Sequence, residues 1–351
     1  MRRFYCHCGQ EVFFNNTHCG VCGSQLGFSV EQRQLKSLVA TSETGIWTFP
    51  DDNRGKHYKV CSHREHLIAC NWLIASDSPE TQCESCALTR VIPPLNKEDN
   101  WRRWRNIESS KRRMIYGLLR LNLPIYPRHK GINNGLVFDF LEDQRSNPQS
   151  ATPHVLNGHA TGLITLNVAE ADGSFREATR EAMNEPYRTL LGHFRHEIGH
   201  FYWDNLIKGS SDYAAFCQQF NYSEQNYQQS LNQYYADGPP DDWREHYISA
   251  YSSAHPMEDW AETWAHYMMM IETMETAGNY ELLANIEEYA DFTELMADWM
   301  SLVVKMNAIN RSIGNRDAYP FVVSETVQNK IEFIHHCVTK SKNAQGFEAF
   351  Q

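Results

Sequence analysis

LLGHFRHEIGHFYWD, residues 190–204, is the stretch that decides the reading. Its apolar residues recur at helical spacing, so the segment is expected to be an amphipathic helix. On such a helix His196 and His200 are four apart and project from one face, where they can grip one metal ion. Glu197 between them reaches a water on that metal. The pairing suits zinc, and a zinc ion that does chemistry keeps three protein ligands and one open position. Upstream, GLITLNV at 162–168 reads as a short strand. The helical pattern itself is expected to run from about 175 through 205.

The third ligand is sought in residues 251–267, where Tyr251, His255, Glu258, Asp259, Glu262 and His266 are candidates. In HPMEDWAETWAHYM (255–268), Glu258 and Glu262 lie four apart on one helical face. One can coordinate the metal while the other hydrogen-bonds a ligating imidazole and orients it. Asp204, four after His200, is a further candidate. His193 shares the face of the two histidines, but three on one helix do not all reach one ion, so it reads as packing. Trp260, Trp264 and the methionines at 268–270 read as core.

Ten Cys and 16 His in 351 residues point to metal more broadly. Eight of the cysteines precede residue 87. Cys6 and Cys8, then Cys19 and Cys22, form two close pairs separated by a short hairpin, the spacing of a tetrahedral four-thiolate zinc site. The glycine after each pair lets the backbone turn toward the sulfurs. Cys61, Cys70, Cys83 and Cys86 are expected to form a second such site, with His63 and His66 as substitutes if Cys70 is a core thiol. Closed thiolate sites leave no open position, so both are expected to be structural. Cys217 and Cys337 read as free core thiols.

Composition is that of a globular protein, and no apolar run approaches the ~20 residues that span a bilayer. The opening MRRFYCHCGQ lacks the apolar core of a secretory signal, and clustered thiols suit a reducing compartment, so a cytoplasmic protein is expected. The net charge of −11 weighs against a nucleic-acid partner. It is unevenly placed. Residues 101–135 hold 9 basic and 1 acidic side chains, whereas 136–351 hold 13 basic and 31 acidic. The basic segment is expected to be a helix, N-capped by Asp99 or Asn100, with Trp101, Trp104, Ile107, Met114, Ile115 and Leu118 along one stripe. It is expected to pack on acidic groups of its own chain. Residues 122–160 read as loop, while 213–235 and 243–305 read as mostly helix.

Several strings carry a resemblance: CHCGQEVFF (6–14), CNWLI (70–74), TGLITLN (161–167), EPYRTLLGHFRHEIGHFYWD (185–204) and SAYSSAHPMEDWAETWAHYM (249–268). Over roughly residues 4–305 the chain resembles the zinc-binding metallopeptidases that carry an N-terminal zinc ribbon, of the glutamate-zincin type. The resemblance implies an α+β fold: a small Cys-rich zinc-ribbon region over 1–96, then a mainly helical zincin-like domain with a small sheet over 97–351. It implies that His196, His200 and Glu258 hold a catalytic zinc and that Glu197 is the general base. Glu262 then supports a ligating histidine, and Tyr251 stabilises the oxyanion. The expected function is hydrolysis of peptide amide bonds in a peptide or protein substrate by a metal-activated water. The zinc-ribbon region offers a surface for a protein partner, and no membrane is involved. The alternative is an adaptor that uses its ribbon to recruit a protein or nucleic acid and carries a vestigial HEIGH site.

Overall fold

The computed structural model describes residues 2–52, 55–65, 68–224, 226–283 and 291–344. The substitute ligand His66 lies outside the described residues. The chain forms two compact units, one built on Arg3–Arg176 and the other on Glu177–Gly346.

The first unit begins with small sheets. Strands β1 (Phe4–Tyr5) and β2 (Glu11–Val12) form one antiparallel hairpin, and β3 (Leu26–Ser29) and β4 (Gln34–Ser37) form another. An antiparallel sheet follows in the order β5 (Val39–Ala40), β6 (Trp47–Thr48), β7 (Tyr58–Val60) and β8 (Leu73–Ala75). The short helix α1 (Glu84–Ala87) leads into β9 (Thr89–Val91) and the long helix α2 (Glu98–Arg120). The last sheet of this unit has the order β11 (Gly158–Ala160), β12 (Leu163–Asn167), β10 (Val137–Leu141), β9. In it β10 lies parallel to both β12 and β9. Strand β9 thus carries the chain from the Cys-rich stretch into the sheet that holds the expected GLITLN strand.

Helix α2 begins at Glu98 with Lys97 as its N-cap, two residues before the expected Asp99 and three before Asn100. The side chain of Asn100 is instead occupied with the Pro94 carbonyl and Glu142. The helix buries Trp104, Ile107, Met114, Ile115 and Leu118, and it sets Tyr116 against Phe14 and Phe28 at ring distances of 5.1 and 5.9 Å. Three of its cations are absorbed nearby. Arg102 and Arg103 both donate to Asp172, at 2.8 and 2.7 Å, and buried Lys111 pairs with buried Glu108 at 2.9 Å. Residues 122–160 are not all loop, because β10 (VFDFL) runs through them with four of its five residues buried.

The second unit is helical. The expected continuous helix over 175–205 is broken: α3 (Gly173–Ala182) stops before Asn184, which takes a positive φ of 51° ahead of Pro186. Helix α4 (Leu190–Tyr202) starts afresh at its cap Thr189, whose hydroxyl accepts from Gly192 N at 2.9 Å. A wider π-type turn, Trp203–Ile207, follows it. Next come α5 (Tyr213–Gln219), α6 (Tyr227–Asp237), α7 (Trp243–His246), a 3-10 turn over Tyr251–Ala254, α8 (Pro256–Asn279), α9 (Phe292–Ser312) and α10 (Glu325–Ala344). Trp260, Trp264, Met268 and Met270 are buried along α8. Tyr202 stacks on Trp264 at 4.9 Å, and Phe216 meets Trp260 edge-on at 5.8 Å. Buried Lys330 of α10 donates to buried Asp259 of α8 at 2.6 Å, which neutralises two charges that could not be left single there.

His266 belongs to the same core. Its ring meets Phe321 at 4.4 Å, its Nδ1 lies 3.0 Å from the Tyr319 hydroxyl, and burial pushes its pKa down to about 4. The folded-state pKa is therefore below the ordinary ~6.5 of an unfolded chain. The stability that follows is complete above pH 6.5 and is lost as pH falls toward 4, by roughly 3 kcal/mol. Denaturant midpoints of wild type should fall between pH 7.5 and 5, and His266→Phe should show a shallower fall. Equal slopes in the two proteins overturn the assignment.

Candidate metal centre

Helices α4 and α8 meet at Gly199. A β-carbon on this residue would stand 3.1 Å from the Ala261 Cα and 3.2 Å from the Trp264 side chain, tighter than ordinary van der Waals contact, so glycine eases the close approach of the two backbones. The indole of Trp260 donates to the Gly199 carbonyl at 2.8 Å, and buried Arg195 of α4 pairs with Glu272 of α8. The approach brings three donor groups together. One ligand atom each from His196, His200 and Glu258 lies within 4.8 Å of the others. His196 Nε2 is 3.1 Å from Glu258 Oε2, and His200 Nε2 is 3.6 Å from Glu258 Oε1. Two imidazoles at ~2.1 Å from a zinc ion and a carboxylate at a similar range would be roughly 3.4 Å apart in a tetrahedron, so the spacing suits that ion.

The other predicted residues divide. Glu262 accepts from His196 Nδ1 at 2.6 Å and is held by the Ser249 hydroxyl at 2.8 Å. A neutral His196 that donates from Nδ1 presents its Nε2 lone pair to the cluster. Tyr251 stands beside the cluster, its ring 6.0 Å from that of His196. Glu197 is buried, and its Oε2 has no hydrogen-bond partner among the described residues. The remaining third-ligand candidates have other work. Asp204 faces Lys208 at 3.7 Å, His255 Nδ1 accepts from Met257 N at the start of α8, Asp259 holds Lys330, and His266 faces Tyr319. Two groups were not foreseen. Ser249 supports Glu262, and the Tyr227 hydroxyl donates to Glu258 Oε1 at 2.5 Å. The SAYSSAH string contains Ser249, but nothing in the spacing of Tyr227, 31 residues before Glu258, announces its contact.

Charge is strongly organised here. Burial opposes a positive His196, but Glu258 and Glu262 outweigh it and push its pKa well up. Burial pulls His200 down to about 4. Burial disfavours charge on both carboxylates as well, yet the histidines keep Glu262 down at about 2 and Glu258 still lower. For Glu197, burial dominates and raises it to about 7, with Glu258 and Glu262 adding and His196 opposing. Without metal the cluster thus sets two anionic carboxylates beside a protonated His196 and a neutral His200, with a third carboxyl poised near neutrality.

In the first unit both thiol clusters assemble. Cys6 lies 3.5 Å from Cys22 and Cys8 3.8 Å from Cys19, sulfur to sulfur. Cys70 lies 3.6 Å from Cys83 and 3.7 Å from Cys86, and Cys83 N donates to Cys61 Sγ at 3.3 Å. These separations exceed the ~2.0 Å of a disulfide and match the ~3.8 Å edge of a tetrahedron built on Zn–S bonds of ~2.3 Å. Gly9 and Gly23 take φ of 83° and 73°, the left-handed turns that close the two knuckles of the first cluster. His63 stands outside the second cluster, against Gln82 and Trp104. Cys337 is buried and Cys217 half-buried.

A family model described as "Putative zinc-binding metallo-peptidase" matches residues 100–337, and a zinc-ribbon domain model matches 3–97. An uncharacterized protein of Mycobacterium bovis is 39% identical to the chain over 347 residues, which cover 96% of this chain and 95% of the relative. Uncharacterized proteins of two Mycobacterium tuberculosis strains match with the same figures. No solved structure matches the chain significantly. Among the described residues no helix is long and apolar enough to cross a membrane.

Two outcomes are expected. Gly199→Ala should cost about 1–3 kcal/mol of stability by forcing α4 from α8, and it should weaken metal binding by the His196 cluster. Wild-type affinity in a folded variant contradicts the close-approach argument. Because Cys8 and Cys22 are exposed while Cys61, Cys70, Cys83 and Cys86 are all buried, a chelator should strip the first thiolate cluster well before the second. Release followed with single-cluster variants checks the order, and equal rates contradict it.

Proposed function

Since the chain belongs to the zinc-binding metallo-peptidase family with an N-terminal zinc-ribbon domain, we propose that it is a zinc-dependent peptidase that cleaves peptide amide bonds. The observation that carries the reading is the convergence of His196, His200 and Glu258 beside Glu197, whose buried Oε2 has no hydrogen-bond partner among the described residues. Two imidazoles and one carboxylate are a zinc donor set that leaves a coordination position open. These three residues would hold the catalytic ion, and the eight clustered cysteines would hold two structural ones. Bound zinc supplies Lewis acidity, polarising a carbonyl oxygen and making water acidic enough to ionise near neutral pH.

The chain's own groups do the rest. Glu197 accepts the proton of the attacking water and passes it to the departing amine, and a carboxyl raised to about 7 suits both transfers. Glu262 keeps His196 in the tautomer that turns Nε2 to the metal. Tyr251 stays protonated, because burial and the Glu258 charge raise its pKa, and its hydroxyl donates to the scissile carbonyl oxygen as charge develops there. The substrate is a peptide or protein, and the zinc-ribbon region is the surface for a protein partner. The thiolate clusters suit a reducing compartment, so we place the protein in the cytoplasm. The assembled set of two imidazoles and a carboxylate beside an intact Glu197 favours hydrolysis over an adaptor with a vestigial site.

Elemental analysis should find three zincs per chain in wild type and two in His196→Ala; two in both removes the catalytic centre. With metal retained, Glu197→Gln should lower peptide hydrolysis by about 10²- to 10⁴-fold. Unchanged turnover in that variant overturns the role of Glu197.

A further inference from the structure

Helix α6 makes an unusual use of its contacts. None of its residues is fully buried, and Leu231 and Tyr234 are half-buried. Its N-cap Asn226 accepts from Gln229 N at 3.0 Å, and its first residue, Tyr227, reaches the metal cluster. The Tyr227 ring meets the His255 ring edge-on at 5.0 Å, and its hydroxyl donates to Glu258 Oε1 at 2.5 Å. His255 is also the cap of α8, its Nδ1 accepting from Met257 N at 3.1 Å, and Glu258 follows three residues later. Ring contact and hydroxyl therefore engage two points of the same helix start. One turn from the other end of α6, Tyr234 packs against Tyr251 at 5.8 Å.

Glu262 supplies an outer partner for His196, and the hydroxyl of Tyr227 stands in the same relation to Glu258. A carboxylate free to rotate can offer either or both oxygens to a cation. One whose Oε1 already accepts a strong hydrogen bond is fixed in plane and has less charge to give through that atom. We propose that Tyr227 is a positioning residue for the metal centre: its hydroxyl orients the Glu258 carboxylate and limits its coordination to one oxygen. This rests on the reading of His196, His200 and Glu258 as zinc ligands. The bond also gives α6 a reason to lie where it does, since the metal centre is what its N-terminus holds.

Tyr227 is 42% exposed, and phenylalanine keeps the ring contact with His255, so Tyr227→Phe removes the hydroxyl without opening the core. Zinc affinity of the His196 cluster is to be measured on the full chain by competition with a chelator, with the thiolate clusters kept loaded. Tyr227→Phe should bind zinc about ten- to a hundredfold more weakly than wild type. With cobalt exchanged into this site alone, its visible absorption should shift as the carboxylate changes its mode of binding. Tyr235→Phe, which removes an exposed phenol from the same helix, should do neither. If Tyr227→Phe matches wild type in affinity and cobalt spectrum while His196→Ala loses one metal per chain, the role of Tyr227 is overturned and the metal centre stands. If His196→Ala loses none, the metal centre falls and this role with it.

Discussion

Everything at the metal cluster depends on how closely α4 and α8 can approach. His196, Glu197 and His200 belong to one helix and Glu258 and Glu262 to the other, so no donor set exists until the two backbones are side by side. The missing side chain at Gly199 makes the room, and the Trp260 indole on the Gly199 carbonyl fixes the depth of contact. Interiors are densely packed, so a methyl group added at this crossing would make Ala261 or Trp264 give by a few tenths of an ångström. Large aromatic groups then fill the space on either side. Tyr202 stacks on Trp264, and Phe216 and Phe220 enclose Trp260. Helices held this way carry their side chains rigidly, which suits a site that must keep three donors at fixed spacing.

Several buried charges are handled by pairing. The second unit buries Asp259 with Lys330 and Arg195 with Glu272, while the first buries Glu108 with Lys111. A single buried charge would be too costly, and each of these has its opposite within contact. The metal cluster departs from the pattern. Glu258 and Glu262 face two imidazoles, while Glu197 keeps a buried oxygen without a partner among the described residues. Groups of this kind, displaced from ordinary titration by burial and by one another, mark functional sites more often than structural ones. Basic α2 gives Arg102 and Arg103 to Asp172 of the same chain.

Much of this was legible in the residues, and each failure has a physical cause. The close cysteine pairs, the 162–168 strand and the pairing of Glu258 with Glu262 all rest on neighbours within a few positions, where periodicity and ligand spacing apply directly. The break between α3 and α4 was missed because the apolar pattern continues across it, although Pro186 and Asn184 lay in plain view. Strand β10 was missed because VFDFL sits among Pro, Gly and Asn residues and is buried on both faces, so it shows no alternation. Tyr227 and Ser249 carried no local signal of their roles, since each acts on a residue brought to it by the fold.

The sequence by itself determined which chemistry is possible: two histidines and a glutamate at helical spacing, a carboxylate pair four apart, and eight cysteines in two groups of four. These follow from backbone periodicity, which is the same in every helix and hairpin. Only the tertiary structure decided which of several acidic and histidine candidates joins the cluster. Asp204, His255, Asp259 and His266 have the right chemistry, but packing gives each another contact. It decided likewise that a tyrosine from α6 holds the third donor. Such choices depend on the crossing of elements far apart in the chain, and that crossing is set by side-chain volume at Gly199 and its neighbours and not by any spacing along the sequence.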